Sequence, residues 1–182
     1  LFALTNIFHL NYDMEKYHSS ILINIGMENT VAAFINNGIY HSARDISVAG
    51  AAFARVLSDI RGMNPDSISG ILRGKVGPDV DVGSVMEALN GASKEFADAV
   101  DMALSFLQSS DAIEKIDLIA LSGGFAHVPG LINVLEMRIG TEVVVMDPFV
   151  NVGVTESLAS TVDPKKVGNI ISVAMGLGTR TG

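Results

Sequence analysis

Hydrophobic positions along the chain change period several times, and each change marks an element. Leu1, Leu4 and Phe8 recur at near-helical spacing, which predicts the tail of a helix over residues 1–10. A polar connector follows to Ser20, and then Ile21, Leu22, Ile23 and Ile25 form an apolar run broken only by Asn24 and stopped by Gly26. Such a run predicts a buried strand over 21–25. A second strand is expected over 31–36. Asn37-Gly38 is the strongest short hairpin signal, and a third strand follows over 39–48. Phe53, Val56, Leu57 and Ile60 share one helical face over 50–60. Residues 62–81 are punctuated by Pro65, Gly70, Gly74, Gly77 and Pro78 and read as an insertion with one short helix over 66–73. From Val82 to Leu107 apolar residues return every three or four positions, a long amphipathic helix with a bend expected at Gly91. A strand (116–121), a helix opened by Pro129 and closed by Gly140, a strand (142–146) and a helix (164–175) complete the chain.

The order β-β-β-α-insertion-α-β-α-β-α predicts an antiparallel meander joined to parallel strands, a mixed sheet with helices on both faces. This is the ribonuclease H-like topology, shared by certain nucleases and by the lobes of actin and sugar kinases. Three parts are expected. Residues 1–20 form a connecting helix and linker, 21–61 with 92–182 form the main α/β body, and 62–91 form the small insertion.

Composition narrows the chemistry. The 182 residues carry twelve Lys and Arg against twenty Asp and Glu, a formal charge of −8, which disfavours nucleic-acid and anionic-membrane partners. Hydrophobic residues make up 48% and charged ones 18%, with mean hydropathy +0.39, so the chain folds rather than remaining disordered. Zero Cys excludes disulfides, thiolate zinc sites and Cys nucleophiles. No apolar run approaches the roughly 18 residues of a membrane span, and no signal-peptide pattern opens the sequence. The start at Leu1-Phe2-Ala3-Leu4 without Met is that expected of a fragment of a longer protein.

A nuclease of this topology needs carboxylates on the first and neighbouring strands for two metals. The first strand offers only Asn24, with Glu28 in the turn beyond, and strand 116–121 offers only Asp117 at its start. His9, His18, His41 and His127 have no partners at metal-ligand spacing, and Ser122 lacks the G-x-S-x-G surroundings of a nucleophile. Glu95, Asp98 and Asp101 form the solvated side of the long helix, the eight Met are core fillers, and Arg73-Gly74-Lys75 is too short for a basic patch. Two glycine turns remain. Asn24-Ile25-Gly26-Met27-Glu28-Asn29-Thr30 joins the first two strands, and Leu121-Ser122-Gly123-Gly124-Phe125 follows the fourth. Glycine turns let backbone N–H groups approach phosphate oxygens and leave room for a flat purine or ribose.

Asn24-Ile25-Gly26 through Thr30 resembles the second phosphate motif of the superfamily of actin, heat-shock chaperone ATPases and sugar kinases. Leu121-Ser122-Gly123-Gly124-Phe125 resembles its adenosine motif, and Ala174-Met175-Gly176-Leu177-Gly178 its second connecting helix. Within that superfamily the chain is most similar to the PilM family, actin-like cytoplasmic proteins of type IV pilus assembly. Leu1 to Leu4, Arg44-Asp45-Ile46-Ser47-Val48-Ala49-Gly50, Pro129-Gly130-Leu131, Val143 to Val145 with Asp147-Pro148-Phe149, and Val173 to Arg180 carry the match.

The resemblance implies the second lobe of a two-lobed fold, the first lobe preceding Leu1, with ATP or ADP and Mg²⁺ between the lobes. It implies a nucleotide site at Asn24, Gly26, Asn29, Thr30, Gly50, Gly123, Gly124 and Phe125. The partners implied are the missing first lobe, the amino-terminal peptide of the inner-membrane protein PilN (mainly through that lobe), and pilus motor components. The implied place is cytoplasmic, peripheral to the inner membrane. An unpaired, glycine-rich lobe face also favours self-association. Three departures weaken hydrolysis: the motif's aspartate is Asn24, Ser69-Gly70-Ile71-Leu72 stands where the family tends to have Glu and Lys near adenine and ribose, and one of the two glycines expected around Ala49-Gly50 is Ala49. Alternatives of the same superfamily are an active actin-like ATPase, a sugar or acetate kinase, and a type II secretion or FtsA-like cell-division assembly protein.

Overall fold

The computed structural model describes residues 2–78, 80–111, 115–155 and 163–179. Leu1 and Arg180, which bound two of the stretches carrying the resemblance, lie outside them.

Five strands form one sheet in the order β3-β2-β1-β4-β5. Strands β1 (Ser19–Ile25), β2 (Thr30–Asn36) and β3 (Ile39–Ile46) are the antiparallel meander, while β4 (Leu118–Ser122) and β5 (Glu142–Val145) run parallel to β1. The apolar runs of β1 and β4 follow from their central places, where both faces are covered. Asn37 and Gly38 both take positive φ, 50° and 73°, as a tight two-residue hairpin turn requires.

Successive side chains of each strand feed two separate cores. Ile21, Ile23, Ile25, Ala32, Phe34, Ile119 and Leu121 pack beneath α2 (Gly50–Ser58), α3 (Pro65–Leu72), α4 (Val82–Asp111) and α5 (Leu131–Ile139). Leu22, Ala33, Ile35, Leu118 and Ala120 pack on the other face beneath α1 (Phe2–Asn11) and α6 (Pro164–Gly178). Helices α1 and α6 lie against one another so closely that a Cβ on Gly176 would collide with the Ala3 carbonyl. Asn11, buried at the end of α1, donates from Nδ2 to the Ile7 and Pro148 carbonyls at 2.8 and 3.2 Å. Its Oδ1 accepts from the Asn151 amide at 2.8 Å.

Several boundaries differ from those expected. Helix α5 begins at Leu131 instead of Pro129, because Gly130 takes a left-handed conformation (φ 81°) and serves as its N-cap. Strand β3 stops at Ile46, where its partner β2 runs out at Thr30. Helix α3 begins one residue early at Pro65, with Asn64 Oδ1 accepting from the Ser67 amide at 2.9 Å. Helix α4 is helical without interruption through Gly91 for 30 residues. Its acidic side is not solely solvated: Arg138 of α5 bridges Asp98 and Asp101 at 2.8 and 3.0 Å. Among the described residues no helix is long and apolar enough to cross a membrane.

Candidate functional site

Parallel pairing of β1 with β4 sets Asn24 directly beside Ser122, so both glycine turns emerge at the same end of the sheet. Ligands of open α/β sheets favour this carboxyl end of the parallel strands. The two turns are also tied to each other. The Phe125 amide donates to the Ile25 carbonyl at 3.4 Å, and a Cβ on Gly123 (φ 92°) would collide with the Ile25 backbone. Position 123 therefore requires glycine twice over, by conformation and by space.

The first turn is short. The Gly26 amide donates to the Asn29 carbonyl at 3.0 Å, and a Cβ on Gly26 would lie 2.8 Å from that oxygen. Helix α2 braces the turn from behind: the Gly50 and Ala51 amides donate to the Gly26 and Met27 carbonyls at 2.9 and 2.8 Å. Gly50 also has no space for a side chain, since the Phe125 ring occupies it. Both Gly50 and Phe125 thus hold the two turns in place, with the Gly50 N–H already engaged. Thr30 is buried beside the turn and its hydroxyl has no partner among the described residues; Asn29 is exposed.

Gly124 differs from its neighbour. A Cβ there would meet nothing within 4 Å, because the residue opens on a cavity of about 330 Å³. Arg73, Lys75, His127, Val167, Asn169 and Ile170 line the rest of it, with no Asp or Glu among the described residues. Asn169 is 4% exposed; its Nδ2 donates to the Gly123 carbonyl at 2.6 Å, and the Gly123 amide returns a bond to the Asn169 carbonyl at 2.8 Å. Its Oδ1 is buried and unpartnered among the described residues, an arrangement that costs about 1–3 kcal/mol until a donor arrives. Arginine, lysine and histidine around a glycine floor suit an anionic or acceptor-rich ligand, and the volume falls in the usual range for a small-molecule site.

Asn24, Gly26, Asn29, Thr30, Gly50, Gly123, Gly124 and Phe125 are thus gathered around one end of the sheet. The cavity adds four residues that sequence reading passed over. Arg73 and Lys75 are the pair set aside as too short for a basic patch, and they arrive at Gly124 from the end of α3. His127 follows the second turn, and Asn169 is hidden in an apolar helix, where its only signal is a polar residue between Val167 and Ile171.

Where a nucleotide's Mg²⁺ is expected, the donor set does not fit one. Ser122 Oγ donates to Asn24 Oδ1 at 3.2 Å, which takes one of the two lone pairs of an oxygen that carries no charge. Asp117 lies at the opposite end of β4, tied to the Ser19 amide and Lys115. Among the described residues no group of three or more His, Asp or Glu could hold a metal ion.

The sequence profile of a family described as "Type IV pilus assembly protein PilM" matches residues 3–181, nearly the whole chain. The chain belongs to this family. Solved structures agree on the fold. The PilM family's own "PilM-PilN type IV pilus biogenesis complex" superposes with a TM-score of 0.78 at 18% identity, over 99% of this chain and 52% of that one. The ethanolamine utilization protein EutJ from Carboxydothermus hydrogenoformans gives 0.61 at 14% identity, over 97% and 53%. MreB 5 of Spiroplasma citri, solved bound to AMPPNP, gives 0.59 at 14% identity, over 97% and 56%. The fold is therefore the actin-like α/β fold, and the chain spans about half the length of these structures. A comparison with curated proteins finds no match.

Proposed function

We propose that this chain is a nucleotide-binding lobe of a PilM-family scaffold, holding ATP or ADP against the two glycine turns while a second lobe covers it. On this reading the phosphates lie by the Gly26 turn and the base and sugar enter the cavity at Gly124. The assembled protein links the amino-terminal peptide of PilN to pilus motor components from the cytoplasmic side of the inner membrane. The complex with PilN in a structure of the same family supports that partner, and an AMPPNP-bound structure of the same fold supports the ligand. The observation that carries the reading is the open space at Gly124, flanked by cations and by the unpartnered Asn169 oxygen. Nucleotide here is a structural ligand, because Asn24 supplies no carboxylate to act as a base.

The test is equilibrium binding of ATP and ADP to the intact protein and its Gly124→Val variant. A valine enters open space, so thermal stability is expected to hold while affinity falls more than about tenfold, or ~1.4 kcal/mol. Unchanged affinity in a folded variant would remove the cavity from the ligand site.

A further inference from the structure

The amide of Asn24 decides how this lobe meets a phosphate. An aspartate at the end of β1 would offer two acceptor oxygens and a charge, the ligands that a hard, oxygen-seeking Mg²⁺ recruits directly or through its waters. Asparagine has one acceptor oxygen and no charge, and the buried Ser122 hydroxyl already engages one of its two lone pairs at 3.2 Å across the β1–β4 pairing. The same hydroxyl lies 3.4 Å from the Ile23 carbonyl, so the shorter contact is the one to Asn24. Beyond the second lone pair of that uncharged oxygen, Asn24 offers a ligand Nδ2, for which no bond is seen among the described residues, a donor that repels a cation and attracts a phosphate oxygen.

The surroundings agree in sign. Glu28 is exposed in the turn, Asp117 is at the far end of β4, and the cavity beyond Gly124 is lined by Arg73, Lys75 and His127 with no carboxylate among the described residues. In a chain with eight more acids than bases, that local reversal of charge is built into the site.

We infer that this lobe binds the nucleotide's phosphates as a bare anion, through N–H donors including Asn24 Nδ2, without a Mg²⁺ ion organised by its own side chains. The inference rests on the nucleotide reading above and departs from the Mg²⁺ that the actin-like fold implies. It makes Asn24 a specificity-determining residue, one that frees nucleotide binding from dependence on Mg²⁺, and Ser122 the positioning residue that orients its amide.

The experiment is titration of the intact protein with ATP and with ADP, once in excess Mg²⁺ and once in EDTA, for wild type, Asn24→Asp and Asn24→Ala. Wild-type affinity is expected to change less than about threefold between the two conditions. Asn24→Asp sets a carboxylate against the phosphates, so its affinity in EDTA is expected to fall at least about tenfold and to recover when Mg²⁺ is added. Asn24→Ala removes the donor and is expected to weaken binding to a similar degree in both conditions; it reports on the same group should the aspartate variant fail to fold. A wild type that needs Mg²⁺ by tenfold or more overturns the inference while leaving nucleotide binding intact. So does an alanine variant weakened only in Mg²⁺. A wild type that binds nothing in either condition overturns the nucleotide reading itself.

Discussion

Replacing Gly176 with alanine tests the packing of α1 on α6. The substitution adds one methyl group, but its position coincides with the Ala3 carbonyl, a backbone atom that cannot swing aside like a side-chain tip. Relief requires the helices to part. That separation loosens Leu4, Ile7 and Phe8 from the sheet and stretches the bond from Asn6 Nδ2 to the Gly176 carbonyl, now 3.3 Å. Overpacking of a tight interior costs about 1–3 kcal/mol, and a clash with backbone exceeds that upper value. Alanine's better helix propensity returns about 1 kcal/mol, leaving a net loss of about 2–3 kcal/mol. For a domain of this size each kcal/mol moves Tm by about 2–4 °C, so a fall of about 4–12 °C is expected. Gly91→Ala is the matched control. Gly91 is exposed inside α4 with nothing within 4 Å of a new Cβ, so only the propensity gain of about 0.5–1 kcal/mol remains. Its Tm is expected to rise by about 1–4 °C. Thermal unfolding of the two variants beside wild type decides the matter. A Gly176→Ala protein at or above the wild-type Tm refutes the argument, as does a shift of both variants in the same direction.

Two further outcomes follow from the structure. Asn11→Ala is expected to cost about 2–4 kcal/mol in denaturant unfolding, since it strands the Pro148 carbonyl and the Asn151 amide that Asn11 now pairs. Arg138→Ala is expected to cost less than about 1 kcal/mol, and less still in high salt, because its bridges to Asp98 and Asp101 are solvent-exposed; a larger loss would mean the α4–α5 contact depends on them.

The sheet was legible because its strands are extreme in pattern. β1 and β4 are near-continuous apolar runs covered on both faces, and Asn37-Gly38 permits one tight hairpin. The turns of the site were legible for a similar reason, since a glycine that backbone crowding demands stands out in sequence. What closes the site was not. Arg73 and Lys75 lie about 50 residues before Gly124 and Asn169 lies 45 after it, and no local period connects them. Their meeting depends on how α3 and α6 pack, which only tertiary structure records. The role of Asn24 was half legible. Its identity announced a lost charge, but the Ser122 bond that engages its carbonyl oxygen comes from the register of β1 on β4. The start of α5 was misplaced because Pro129 looked like a first-turn proline, whereas Gly130 at φ 81° sets the boundary.

Helix α4 has a mechanical consequence. Thirty unbroken residues make a rod about 45 Å long, packed against α2 and α5. The helical hydrogen bonding runs on through Gly91, and a rotation of about 5° at one end would sweep the other through about 4 Å. Val85 and Leu89 near its start share a core with Ile71 and Leu72, just before Arg73, so the rod is geared to the segment that carries the cavity's cations. A shift of that segment by a fraction of an ångström would meet, in this helix, a lever that reaches well past the core they share.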